Sequence, residues 1–181
     1  PQVVLPDADL DLAVNGIAAG IFPAGGQSCI SGSRLLVHRE VIDDFTDRLV
    51  EVVKKARVGD PEDPKTQIGP MANRPQYERV LKCIADAESA GHRMLLDGRQ
   101  SGREEGYFIG PTIFADVPNE SHLAQNEVFG PVVSTEAWET EAEVINKANA
   151  TVYGLAAGVW SRDVARAMRI ADQVEAGTVY I

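Results

Sequence analysis

Hydrophobic residues recur along the chain with two periods, and the switches between those periods outline the elements. After Asp9, a residue suited to capping a helix, Leu10, Val14, Ile17 and Ile21 recur at helical spacing with small residues between them. The breakers Pro23, Gly25 and Gly26 end that helix. Residues 34–38 read as a buried strand. Val41, Phe45, Leu49, Val52 and Val53 share one face of a second helix over about 41–57. Gly59-Asp60-Pro61 and Asp63-Pro64 make a rigid loop. A third helix follows over about 75–90, with Gly91 as its C-terminal cap. The pattern then predicts a short strand over 93–96 and a glycine-rich, charged loop through Gly106. An extended segment over 108–117 is interrupted at Gly110-Pro111, and another strand lies within 130–138. A helix follows Thr140, a strand covers 155–160, Ser161 caps a helix running to Gln173, and a last strand covers 178–181. The opening run, Pro1 to Pro6, is assigned no element. Strands alternating with helices predict an α/β fold, an open, twisted, largely parallel sheet flanked by helices.

The 181 residues suffice for one domain with its own core, and 44% hydrophobic with 24% charged residues is an ordinary globular composition. No apolar run reaches membrane-spanning length, so no membrane association is expected. A formal net charge of -10 repels phosphate backbones, which argues against nucleic acid as a partner. Only two cysteines occur, too few for a disulfide framework, and they point to a reducing, cytoplasmic setting. The chain opens without a methionine and stops inside the last expected strand, so an excised domain is expected.

Cys29 and Cys83 sit in contrasting surroundings. Cys83 lies in the third helix beside Val80, Ile84 and Ala87, where packing explains it. Cys29 lies among Gly25, Gly26, Ser28, Ser31, Gly32 and Ser33, outside any apolar period. Small neighbours leave room for a substrate to reach the sulfur and let backbone N–H groups point at an oxyanion. An ordinary thiol is only a few per cent ionised at neutral pH, so a cysteine nucleophile needs activation.

Two motifs carry a resemblance. Gly26-Gln27-Ser28-Cys29, followed by Gly32-Ser33-Arg34, resembles the active-site cysteine motif of the NAD(P)-dependent aldehyde dehydrogenases. Asn126-Glu127-Val128-Phe129-Gly130-Pro131 resembles that family's E-x-F-G-P signature. Weaker matches at 6–11, at Gly59-Asp60-Pro61 with Gly69-Pro70, and at 153–160 fall in the family's order, so the resemblance covers nearly the whole chain. It implies that Cys29 is the nucleophile, forming a thiohemiacetal and then a thioester, with its own N–H as an oxyanion donor. It implies that Glu127 binds the hydroxyls of the nicotinamide ribose of NAD or NADP, and that Phe129 lies against the nicotinamide. Core packing explains Phe129 equally well. Ser28 and Ile30 flank the nucleophile and are expected to touch a small-molecule aldehyde.

The resemblance also implies what residues 1–181 lack. The family's dinucleotide-binding domain, its glutamate general base, its oxyanion asparagine and its oligomerisation strand are expected outside this catalytic domain, in a parent homodimer or homotetramer. No P-loop and no G-x-G-x-x-G occurs here. The isolated piece is therefore expected not to turn over. Gln76 and Arg79 are one turn apart and could face the cofactor, although a solvated helix face suits Arg79 better. Arg34 is expected to tie loops together. His38, His92 and His122 show no ligand spacing, and Asp7, Asp9 and Asp11 lack the glycine and glutamate of a calcium loop, so no metal site is expected. Three alternatives stay open: a CoA-acylating relative, disfavoured by the Gly-Gln-x-Cys form; a non-catalytic interaction domain of the same fold; and a thiol hydrolase, which would need a histidine beside Cys29.

Overall fold

The computed structural model describes residues 1–100 and 105–181. The glycine-rich loop expected through Gly106 therefore lies partly outside the described residues. The strands are β1 (Gln2–Val4), β2 (Arg34–His38), β3 (Arg93–Leu96), β4 (Thr112–Ala115), β5 (Val132–Trp138), β6 (Ala156–Trp160) and β7 (Thr178–Tyr180). The helices are α1 (Leu10–Ile21), α2 (Ile42–Val53), α3 (Arg74–Ser89), α4 (His122–Gln125), α5 (Glu141–Asn149) and α6 (Val164–Ala171). The strands form one sheet in the order β3-β4-β5-β2-β1-β6-β7. Every neighbouring pair is parallel except β3 with β4, which is antiparallel.

Both faces of the sheet are buried, and the period of two along each strand decides which residue goes where. Val4, Leu35 and Val37 pack on one side with Val14, Ile17, Phe45 and Leu49 from α1 and α2. Val3, Leu5 and Leu36 pack on the other with Val144, Ala167 and Ile170 from α5 and α6. A third cluster under α3 joins Val80 and Ile84 to Phe114, Val128 and Val132. Cys83 packs against that cluster, as its helical position implies. Asp9 caps α1 by accepting from the Leu12 N–H at 3.1 Å, and Gly91 follows α3 with φ 83°.

The structure differs from the sequence pattern in several details, among them a short helix α4 that the pattern did not mark and an α6 that ends at Ala171, short of Gln173. The run assigned no element supplies β1, which lies between β2 and β6 near the middle of the sheet. Its three residues, bracketed by Pro1 and Pro6, are too few for a period to show. Helix α2 ends at Val53, short of 57, with Lys54 as its cap. Ser161 does not cap α6. Asp163 does, accepting from the Arg166 N–H at 3.0 Å, while the Ser161 hydroxyl donates to Asp7.

Candidate active site

Cys29 lies in the loop between α1 and β2, and Glu127 and Phe129 lie in the loop between α4 and β5. Since β2 and β5 pair in parallel, both loops open at the amino ends of their strands. Open α/β sheets usually bind ligands outside the carboxyl ends, so the two motifs lie at the edge opposite to the usual one.

Glycines bring the two loops into backbone contact. Gly26 has φ 68°, and a Cβ there would stand 2.2 Å from the Gly130 carbonyl oxygen and 2.7 Å from the Pro131 nitrogen. A Cβ on Gly130 would stand 2.7 Å from Val80 Cγ2. The cysteine motif, the E-x-F-G-P motif and α3 are thus stacked at separations that only hydrogen on Cα permits. Gln27 fastens the cysteine loop on its other side. Its Oε1 accepts from the Ala72 N–H at 2.9 Å, just before α3, and its Nε2 donates to the Ala24 carbonyl at 2.9 Å.

The Cys29 thiol is free and exposed. Its backbone N–H has no acceptor among the described residues. A cavity of about 200 Å³ opens beside it, lined also by Arg34, Leu123, Glu127, Val128 and Tyr153. Glu127 is half-buried on that wall. Phe129 is 36% exposed and has φ 53°, a left-handed conformation that is costly for a non-glycine residue. It is therefore not a core residue, which removes one of its two readings. Ile30 is 51% exposed, but neither it nor Ser28 is among the residues that line this cavity.

Arg34 lines the same cavity and ties loops together. Its Nη2 donates to Asn119 Oδ1 at 2.5 Å and to the Lys147 carbonyl, in the last turn of α5, at 2.8 Å. Burial pulls its pKa below the usual guanidinium value, and the Glu136 carboxylate opposes that shift. Arg79 is exposed, as a solvated helix face implies, yet its guanidinium is also bonded to the neighbouring loop. Its Nη1 donates to the Val128 carbonyl and its Nη2 to the Glu127 carbonyl. Gln76 Nε2 donates to the Phe129 carbonyl at 2.6 Å. Tyr153 is a further site residue that the pattern did not single out. Its hydroxyl accepts from the Glu127 N–H at 3.2 Å.

His38 and the N-terminal aspartates have other partners. The His38 ring packs edge-on against Trp138 at 4.7 Å. Asp7 accepts from Ser161, Arg162 and Asp163, Asp9 from Arg162 and Leu12, and Asp11 from Arg48. Among the described residues, no three His, Cys, Asp or Glu side chains are grouped to hold a metal ion, and no helix is long and apolar enough to cross a membrane.

Comparison with known proteins places this geometry. The model of the aldehyde dehydrogenase family matches residues 1–181. A betaine aldehyde dehydrogenase of Brucella anthropi is 43% identical over 184 residues, covering 100% of this chain and 38% of that protein. The crystal structure of an NAD-dependent aldehyde dehydrogenase from Sinorhizobium meliloti matches with a TM-score of 0.97 at 41% identity, covering 100% of this chain and 36% of that one. Betaine aldehyde dehydrogenase from Staphylococcus aureus, solved in complex with NAD+, matches with a TM-score of 0.97 at 35% identity, covering 100% and 37%. The chain thus spans 38% of the length of the curated relative it matches.

Proposed function

The chain belongs to the aldehyde dehydrogenase family, and from that premise we propose that it is the cysteine-bearing catalytic domain of an NAD(P)-dependent enzyme that oxidises an aldehyde to a carboxylic acid. The observation that carries this reading is that the exposed Cys29 and the half-buried Glu127 line one cavity, on loops whose backbones touch through Gly26 and Gly130.

As thiolate, Cys29 Sγ bonds to the aldehyde carbon, and the carbonyl π pair moves onto oxygen. The Cys29 N–H, which has no other acceptor among the described residues, is suited to donate to that oxyanion. NAD(P), when bound, supplies the acceptor for the hydrogen and electron pair that this carbon then loses, leaving a thioester on Sγ. Water adds to the thioester, the C–S bond breaks, and the acid leaves as the thiol is restored. The residues present fit the nicotinamide end of such a cofactor. Glu127 offers two acceptor oxygens to a pair of ribose hydroxyls. The exposed Phe129 ring, held out of the core, is available to lie against the nicotinamide.

The base that activates water, the dinucleotide-binding domain and the oligomerisation strand belong, in this reading, to other parts of a parent homodimer or homotetramer in the cytoplasm. Residues 1–181 alone then form no NADH from aldehyde. Betaine aldehyde is the first substrate to assay, because the Brucella and Staphylococcus relatives carry its name. In the parent enzyme, Cys29→Ser is expected to abolish aldehyde-dependent NADH formation. Retained turnover would remove Cys29 from the mechanism. Acid release without CoA separates this reading from a CoA-acylating enzyme.

A further inference from the structure

The cysteine loop is fastened near Gly26 and Gln27, but its exit toward β2 has a separate support. Gln2 in β1 shares the sheet face of Val4, the face that carries α1, and its half-buried amide lies in a slot between two glycines. A Cβ on Gly32, which ends the loop with φ 64°, would stand 2.5 Å from Gln2 Nε2. A Cβ on Gly158, the register partner of Gln2 in β6, would stand 2.2 Å from Gln2 Oε1. Trp160 fixes the orientation of the amide, because its Nε1 donates to Gln2 Oε1 at 2.8 Å. The Trp160 ring in turn packs against α1, where a Cβ on Gly16 would stand 2.4 Å from Trp160 Cη2. The helix that enters the Cys29 loop and the glycine that leaves it therefore bear on one hydrogen-bonded pair. Core neighbours on this face are apolar, Val4 and Leu35 among them. An aliphatic side chain would serve packing there, whereas an amide is costly unless it is bonded.

We propose that Gln2 is a positioning residue for Cys29: wedged between Gly32 and Gly158 and bonded to Trp160, it sets where the loop that carries the thiol leaves for β2. This rests on the role proposed above for Cys29. The amide is flat and unbranched, so it fills the slot between two bare α-carbons and still offers an acceptor to the indole. Gln2 does not line the cavity beside Cys29 and acts through the loop. Attack on the aldehyde carbon needs Sγ aligned with it, so a small shift of the loop lowers the rate without touching the cofactor.

The test is the first-turnover rate of NAD(P)H formation in the parent enzyme, read by stopped flow with cofactor and aldehyde saturating and at a temperature below the Tm of every variant. Gln2→Met keeps the length and removes the amide. It is expected to slow the first turnover roughly three- to tenfold, the scale of one hydrogen bond, with the Kd for NAD(P)+ within about twofold of wild type. Trp160→Phe removes the same bond from its other side and is expected to match that loss. The double variant is expected to be no slower than the slower single one, since both act through one bond. Gln2→Glu retains the acceptor and is expected to recover the rate to within about twofold of wild type. A first turnover unchanged in both Gln2→Met and Trp160→Phe, strictly additive losses, or Gln2→Glu as slow as Gln2→Met would each overturn the proposal. A Cys29→Ser enzyme that still forms NAD(P)H in the first turnover would instead overturn the proposed role of Cys29.

Discussion

Replacing Gly26 by alanine puts a methyl carbon 2.2 Å from the Gly130 carbonyl oxygen and 2.3 Å from its carbon. Both are backbone atoms, so no side chain can swing aside, and the two loops of the site must separate. The φ of 68° adds a left-handed penalty of about 1–2 kcal/mol for any residue with a Cβ. Forcing a methyl into a packed contact costs about 1–3 kcal/mol more. The sum, about 2–5 kcal/mol, corresponds to a fall in Tm of about 4–20 °C for a domain of this size. Gly20 provides the internal comparison. It lies in α1, has no positive φ and has nothing within 4 Å of its added Cβ. Gly20→Ala should therefore raise stability by about 0.5–1 kcal/mol through helix propensity. Differential scanning calorimetry of both variants reads the two shifts, and the alkylation rate of Cys29 reports whether its loop has moved. A Gly26→Ala protein that melts within a degree of wild type, with unchanged thiol reactivity, would refute the backbone contact on which the site is built.

Iodoacetamide at neutral pH should modify Cys29 at least tenfold faster than the half-buried Cys83, which packs from α3 against the third core cluster, with peptide mapping as the readout. Equal rates would remove the contrast between the two thiols. Asp7 should contribute to acid sensitivity. Burial raises its pKa, but hydrogen bonds from Ser161 and from the Asp163 and Arg162 N–H groups outweigh this and hold it below the usual carboxylate value. Its stabilisation is thus present above the unfolded pKa of about 3.9 and lost as pH falls through the lower folded value. Asp7→Asn should cost about 1–2 kcal/mol in urea unfolding at pH 7, with the deficit shrinking toward zero in acid. Arg34→Lys should cost about 1–3 kcal/mol in the same assay, because an ammonium cannot span both Asn119 and the Lys147 carbonyl. A lysine variant as stable as wild type would show that Arg34 does not bridge those loops.

What the sequence disclosed of this molecule was what local pattern can carry. Helices α1 to α3 show their faces in the spacing of Val14, Ile17, Phe45, Leu49, Val80 and Ile84, and those residues are the core. Cys29 and Glu127 were legible because both sit in short motifs of unusual composition. The residues that hold them were not. Arg79 and Tyr153 meet the 127–129 loop across 49 and 26 residues of chain, and each bonds to backbone, which leaves no mark on the partner's identity. Ser161 misled for the same reason. A cap by Ser161 or by Asp163 satisfies the local rule equally, and the choice was made by Asp7, 154 residues away. Strand β1 was hidden by its brevity, although its burial between two parallel neighbours makes it central.

The account rests most heavily on Cys29 carrying the substrate's acyl group. The parent enzyme, mixed with aldehyde and NAD(P)+ and quenched in acid within a turnover, can be digested and its peptides weighed. The peptide containing Cys29 should carry the mass of the acyl group as a hydroxylamine-labile thioester, and the Cys29→Ala enzyme should carry none. An acyl adduct on another residue, or steady NADH production by Cys29→Ala, would contradict the account.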